Sequence, residues 1–517
     1  MILKSYIQGR WHDGGGERAP LYDPTTEAVI AETSTAGIDF GAALEYARTK
    51  GGPALRQLTF AARGRLVSAM ANALHAHREE LVELAIKNGG NTRGDAKFDI
   101  DGCTGTLAYY GKVGEALGDR RFLTDGALET LMRAPRFVGG HLLVPREGVA
   151  VHVNAFNFPA WGFGEKAAVA LLAGMPVVTK PATSTALVAA RIMEILVEAD
   201  VLPAGALSFV AGSPGDMLTY LGPQDVLAFT GSADTGAKLR AGKPVVRDSV
   251  RTNVEADSLN SAVLGPDVEE GSDTFDLFIR EVANDVTQKA GQKCTAIRRV
   301  FVPRGALDAV IGALSARVSE VRVGDPSLKE VRMGPVATAG QLRDVRAGIE
   351  LLRTVAEPVL GDGGRGKPLG VDGDKGYFVS PTLLLARDPA NASPVHSHEV
   401  FGPCATLMPY SGDPAEAIGY VRRGQGGLVA SVYSDDKDFA SAMLFGIAPY
   451  HGRLHLGSAR IAEHSPGPGT VLPNLVHGGP GRAGGGEELG GERGLRFYMQ
   501  RTAVQGEKTV LEKLLGG

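Results

Sequence analysis

Between residues 147 and 240 short apolar runs alternate with helical patterns, and no other feature of the chain limits its fold as much. "GVAVHVNAF", "MPVVTK", "GALSFVAG" and "DVLAFTG" read as buried strands. "WGFGEKAAVALLA" and "TSTALVAARIMEILVEA" carry helical periodicity, the second with Ser or Thr caps, and "GDMLTYLG" reads as a short helix. Apolar strands joined through helices form a parallel sheet covered on both faces. Such sheets bind ligands at the carboxyl ends of their strands. Here those ends carry Asn157 and Lys180, with Glu255 near a further edge.

At 517 residues the chain exceeds what one core usually supports, so two domains with small appendages are expected. "FAARGRLVSAMANALHAHREELVELAIKN" predicts one helix over 60–90, ended by Asn88 and Gly89. A second unit begins beyond Glu255. Its helix "DTFDLFIREVANDVTQKAG" sets Phe275, Phe278, Ile279, Val282 and Val286 on one face, with Gly291 as its stop. "HSPGPGT" and "HGGPGRAGGGEELGGERG" read as loops.

Several classes of function are excluded by composition and pattern. A net charge of −4 offers no basic footprint for nucleic acid. The N-terminus is no signal peptide, and the longest apolar stretch is too short to span a bilayer, so a cytoplasmic protein without a membrane partner is expected. Three separated cysteines give no disulfide framework. His396 and His398 in "HSHE" lack a second ligand group, and no metal is expected. "GDGGRGKP" has Pro368 where a nucleotide-binding loop needs Ser or Thr, and reads as a surface loop.

Cys294, in "KAGQKCTAIRR", follows a helix end and has Lys289, Lys293, Arg298 and Arg299 nearby. Local context leaves it open between a nucleophile and an inert small residue. Cys103 and Cys404 have no comparable setting and read as structural. "GSPGD" (212–216) and "FTGSADTG" (229–236) each follow a strand and open a helix, which aims backbone N–H groups at a pyrophosphate. Neither spells the usual dinucleotide fingerprint.

Taken in order, "FNFP", "KPA", "FTGSxxxG", a Glu before a small-residue turn, "GQxC", "ExFGP" and "EELGG" resemble the aldehyde dehydrogenase superfamily over essentially the whole chain. "VNAFNFPAWG", "EADSLN", "GQKCTAIRR" and "LVHGGPGRAGGGEELGG" resemble its branch that oxidises coenzyme A-linked semialdehydes in aerobic benzoyl-CoA and phenylacetate degradation, in the stand-alone form. The resemblance implies an α/β fold with a Rossmann-type cofactor domain (1–123 and 147–257), an α/β catalytic domain (258–466) and oligomerisation segments (124–146 and 490–517). A homodimer or dimer of dimers is implied.

The resemblance also implies roles. Cys294 is the nucleophile, Asn157 an oxyanion donor and Glu255 the general base; Lys166 and Glu488 relay protons or position that base. Lys180, Ser232 and the turn glycines Gly231 and Gly236 belong to the cofactor cradle, with Glu399 and Phe401 at the nicotinamide ribose. Thr183 stands where NAD-preferring members carry Glu, and with Ser213 it implies NADP, because a carboxylate there would repel a 2′-phosphate. "ADSLN" after Glu255 departs from the wider family, as does Glu165, either a channel residue or a salt-bridge partner. The implied reaction is hydrolytic oxidation of a CoA-thioester semialdehyde. A CoA-acylating dehydrogenase and a non-redox cysteine thioesterase or hydrolase are the rivals. Glu255 argues against the first. The second needs a histidine paired with the thiol, and none is expected in the matched motifs.

Overall fold

The structure, a computed structural model, describes residues 1–515. The predicted parallel sheet is present. Its strands run in the order Arg251–Glu255, Val226–Thr230, Ala150–Val153, Val177–Lys180 and Leu207–Phe209, all parallel. Ser5–Ile7 and Arg10–His12 extend it in antiparallel fashion. Val153 is level with both Lys180 and Phe229, and Thr230 with Glu255, so the strand ends share one rim. Helix Trp161–Ala173 is buried along its whole length and lies against helix Arg93–Leu117. No helix among the described residues is long and apolar enough to cross a membrane.

A second sheet is ordered Glu357–Leu360, Thr382–Leu385, Cys404–Tyr410, Arg299–Pro303, Ser261–Leu264, Gly427–Tyr433, His451–Gly457, and only its first strand is antiparallel. A smaller sheet pairs Phe137–Pro145 with Met499–Glu507 along nine residues of each. Leu131, Met132, Phe137, Val510 and Leu514 are exposed in or beside it.

Several local expectations need correcting. The helix predicted over 60–90 is two, Phe60–Ala76 and Arg78–Gly89, because His77 leaves helical geometry, and the left-handed Gly90 caps the second. Helix Ala186–Glu198 has no Ser or Thr side-chain cap; the Asn88 side-chain Oδ1 accepts from Leu187 N–H, while the Thr185 hydroxyl donates to the Phe156 backbone carbonyl. "GSPGD" leads into a 3-10 turn, Met217–Tyr220, too short to supply the end of a helix dipole. The last glycine-rich stretch is not all loop. Val476–Gly479 and Gly486–Leu489 form an antiparallel ribbon that places His477 opposite Glu488. Its glycines permit contact where side chains would not: a Cβ on Gly478 would lie 2.0 Å from the Gly486 carbonyl oxygen.

The helix before Cys294 ends earlier than Gly291 suggests. Helix Asp273–Thr287 gives way to an extended Gln288, and then Lys289, Ala290 and Gly291 all adopt left-handed φ of 54°, 52° and 69°. Two non-glycine residues in that region cost roughly 1–2 kcal/mol each, so contacts outside the turn must hold it. Lys289 Nζ donates to Asn91 Oδ1 at 2.8 Å and stands 4.6 Å over the Phe158 ring. A Cβ on Gly291 would lie 2.1 Å from the Gly402 carbonyl oxygen. Gly291→Ala is therefore expected to destabilise the fold by about 2 kcal/mol or more. A melting temperature equal to that of the parent protein would contradict this account of the turn.

Candidate active site

The left-handed turn delivers a loop whose carbonyls are taken up by side chains. Asn260 Nδ2 donates to the Cys294 and Ala296 carbonyls at 2.8 and 2.9 Å, and Oδ1 accepts from Val429 N–H and the Ser258 hydroxyl. Arg298 donates to the Lys293 carbonyl, and Asn157 Nδ2 to the Gln292 carbonyl at 3.0 Å. The carboxamide of Asn157 has a second N–H, and the residue lines the cavity beside Cys294.

Two cavities meet at this thiol. The outer one, about 710 Å³, is lined by Gly231, Ser232, Glu399 and Phe401 and reaches Asn157, Glu255 and Cys294. Ser232 caps helix Ala233–Arg240, yet the Asp257 carboxylate accepts from Ala233 N–H at 3.0 Å. Glu399 accepts from Ser258 N–H and faces Arg298 Nε at 3.4 Å; burial pushes its carboxyl up to about 7 despite the guanidinium. Gly236 lies within the helix, packed on Val254. Lys180, Thr183 and Ser213 stand off the walls of this cavity. Lys180 is buried at its strand end, where burial lowers its pKa, and the Ser213 hydroxyl accepts from Gly215 N–H.

The inner cavity, about 40 Å³, is lined by Phe98, Phe158, Trp161, Val471, Glu165, Glu255, Cys294 and His477 among others. The three aromatic rings meet edge-on, with centroids 5.1–6.0 Å apart. Behind them is a buried charge cluster. Lys166 Nζ lies 3.1 Å from both Glu165 Oε1 and Glu488 Oε2, and Asn253 Nδ2 donates to Glu488 Oε1 at 2.9 Å. Glu165 thus lines the channel and pairs with Lys166. Burial raises its carboxyl to about 7 against the pull of the lysine, and the neighbouring carboxylates hold the Lys166 ammonium charged in spite of burial.

His477 is the residue that the sequence reading missed. Its Nε2 lies 3.2 Å from Glu255 Oε1, and a ring nitrogen of His477, a carboxylate oxygen of Glu255 and Cys294 Sγ all fall within 4.8 Å of one another. The signal was present in "LVHGG", but a stretch taken for loop gave no reason to aim its histidine anywhere. Burial alone would raise Glu255, yet the imidazole outweighs it and holds the carboxyl down to about 2. His477 moves the other way: burial favours the neutral ring, Glu255 favours the cation, and the net shift is upward. Burial, Glu255, Glu165 and Glu399 all push the Cys294 thiol well above its ordinary range. Cys103 and Cys404 are enclosed and far from this cluster in chemistry, with burial as the main cause of their raised pKa values. His396 is spent inside the fold, Nε2 against the Pro389 carbonyl and Nδ1 facing Arg299.

Residues 11–504 match the Aldehyde dehydrogenase family. The chain belongs to the aldehyde dehydrogenase family. It is 45% identical over 480 residues to a 3,4-dehydroadipyl-CoA semialdehyde dehydrogenase of Aromatoleum evansii, covering 93% of each chain. With a phenylacetaldehyde dehydrogenase of Pseudomonas fluorescens it shares 29% identity, covering 96% of this chain and 95% of the relative. Among solved structures, a betaine aldehyde dehydrogenase of Staphylococcus aureus superposes with a TM-score of 0.83 at 23% identity, covering 98% of this chain and 97% of that one. That likeness is one of fold.

The sign of the Glu255–His477 coupling follows from these shifts. The depressed carboxyl contributes stability that is present above its ordinary value of 4.5 and lost as pH falls toward about 2. The raised imidazole contributes stability that is present below 6.5 and lost as pH rises through its folded value. His477→Phe removes the stabilising cation and leaves burial to dominate, so the Glu255 carboxyl is expected to protonate at a higher pH. Infrared titration of the protonated carboxyl band, assigned with Glu255→Gln, measures this; an unchanged titration would show that the pair does not couple.

Proposed function

We propose that this aldehyde dehydrogenase oxidises the aldehyde of a coenzyme A-linked semialdehyde to the carboxylic acid, with NADP accepting the hydride and water releasing the product. One observation carries the reading: a single thiol stands between an aromatic-walled inner cavity and a larger outer cavity, with a carboxylate and an amide donor beside it. The inner walls suit an aliphatic chain. The relative at 45% identity bears the name of a CoA-thioester semialdehyde dehydrogenase, which supports the CoA handle.

The outer cavity fits a dinucleotide by size and by its walls. Gly231 and Ser232 border the start of a helix, and the Glu399 carboxylate is anchored by Ser258 and Arg298. We assign Lys180, Thr183 and Ser213 to the adenosine end, beyond the cavity walls, and Gly236 to close helix packing there. When bound, the oxidised nicotinamide supplies the hydride acceptor and a positive charge.

Glu255 takes the thiol proton, and Cys294 Sγ bonds to the aldehyde carbon. The carbonyl oxygen, now anionic, is met by the free Asn157 N–H and the Cys294 backbone N–H. Loss of hydride from that carbon leaves a thioester on Cys294. Once that first proton has passed to the Lys166–Glu488 pair, the ionised Glu255 draws a proton from water, whose oxygen attacks the thioester carbon and expels the thiolate. Lys166 and Glu488 carry the proton away from Glu255, and His477 keeps Glu255 anionic between turnovers. Because the chain's own residues raise the thiol pKa, Cys294 rests protonated until a positive charge arrives. The exposed apolar residues beside strand pair Phe137–Pro145 and Met499–Glu507 form the dimer contact in this reading.

A cysteine hydrolase without redox chemistry gains one observation, the His477 imidazole near the thiol. Such an enzyme has no use for an outer cavity opening on the same sulfur.

Absorbance at the reduced-nicotinamide band, with CoA-linked and free aldehydes and with NADP or NAD, tests the proposal. No reduction with any aldehyde refutes it, and a strict need for free CoA moves it to the acylating class. Cys294→Ala is expected to abolish turnover, whereas Glu255→Gln should retain a burst of reduction and block release by about 100-fold or more. Thr183→Glu should shift the NADP-to-NAD ratio of kcat/KM toward NAD at least about tenfold, which corresponds to roughly 1.4 kcal/mol. An unchanged ratio would remove Thr183 from the cofactor site.

A further inference from the structure

Glu255 Oε1 is enclosed in protein yet makes no well-directed hydrogen bond, although the His477 ring stands close by. Glu255 comes from the end of strand Arg251–Glu255, Cys294 from the loop after the left-handed turn, and His477 from the glycine-rich ribbon. Thus a carboxylate, a thiol and an imidazole converge from three separate parts of the chain, their donor atoms within 4.8 Å of one another.

We propose that this trio is also a binding site for zinc-class divalent cations, which inhibit the enzyme reversibly by occupying its nucleophile. Mixed sulfur, nitrogen and oxygen donors are the set that zinc prefers. Across a tetrahedral zinc with bonds of about 2.0–2.3 Å, neighbouring donors stand roughly 3.5 Å apart. The imidazole and carboxylate already do, at 3.2 Å, and the thiol lies within 4.8 Å of a donor atom on each. A fourth position opens to the inner cavity and takes water.

Charge favours the same outcome. One thiolate and one carboxylate neutralise a divalent ion, and the neutral imidazole adds no charge, so the loaded site carries no net charge into a buried place. The orphaned Oε1 gains a partner. To hold the ion, Cys294 Sγ gives up its proton and the His477 ring presents a bare nitrogen. The other charged groups facing the trio are Glu165, Lys166, Glu488, Glu399 and Arg453. Lys166 is matched by its two carboxylate neighbours, so it does not repel the ion unopposed. None of this depends on which aldehyde the enzyme oxidises.

The test uses the whole protein, free of cofactor, and needs no turnover. Cobalt(II), the spectroscopic stand-in for zinc, is titrated anaerobically. One ion per chain with a thiolate-to-cobalt absorption band is expected, displaced by zinc and removed by a chelator. Cys294→Ser should abolish the band, and His477→Phe and Glu255→Gln should each weaken binding by roughly 100-fold or more. Zinc should slow alkylation of Cys294 by iodoacetamide, read by mass spectrometry of its peptide. Circular dichroism checks that each variant folds, and His477→Gln carries the comparison where His477→Phe does not. No band in the parent protein overturns the proposal, as does undiminished affinity in either His477 variant. Binding unaffected by Cys294→Ser would place the ion elsewhere and overturn it as well.

Discussion

The carboxamide of Asn260 is the joint on which this structure depends. Both of its N–H groups and its oxygen are committed, to the Cys294 and Ala296 carbonyls on one side and to Val429 and Ser258 on the other. Its backbone carbonyl also accepts from Arg298 and Arg299. A loop that leaves a helix through three left-handed residues has no ladder to satisfy its polar groups, and each one left unmet in a buried place costs about 1–3 kcal/mol. Asn260 supplies what the ladder does not, and in doing so fixes the Cys294 loop to the central strands of the second sheet.

Around that fixed point the electrostatics divide into two layers. In the layer nearest the sulfur, Glu255 and His477 compensate each other; deeper, Lys166 is held between Glu165 and Glu488. Neither layer would persist buried without its counter-charges, because an isolated ion in the interior is far costlier than a paired one. The arrangement holds the Glu255 carboxyl down and pushes the Cys294 thiol up, so that a carboxylate stands beside a protonated thiol at neutral pH.

Much of this was legible in the residues. Apolar runs separated by helices indicate the parallel sheet, and the rule that ligands bind at strand ends points to Asn157 and Lys180, with Glu255 near a further edge; Asn157 and Glu255 line the cavities at Cys294, and Lys180 does not. The errors share a physical cause. Glycine marks both turns and places where two backbones nearly touch, and pattern alone does not distinguish them. In the sequence, the ribbon that carries His477 and Glu488 therefore has the look of a loop. Nothing at His77, or at Gln288, Lys289 and Ala290 ahead of Gly291, is a breaker strong enough to announce where these helices end; tertiary contacts impose the geometry. Lys180, Thr183 and Ser213 lie off the outer cavity's walls, which motif order does not reveal.

The ribbon has one more consequence, in the order of events during synthesis. A chain growing from its N-terminus has made the strand ending at Glu255 and the loop of Cys294 long before residues 477 and 488 exist. The strand Phe137–Pro145 likewise waits for its partner Met499–Glu507. Contacts this distant in sequence form late and slowly. Cys294 therefore spends most of translation without His477 and Glu488 in place, and the buried cluster around the thiol is assembled only when the last tenth of the polypeptide folds back onto the first sheet.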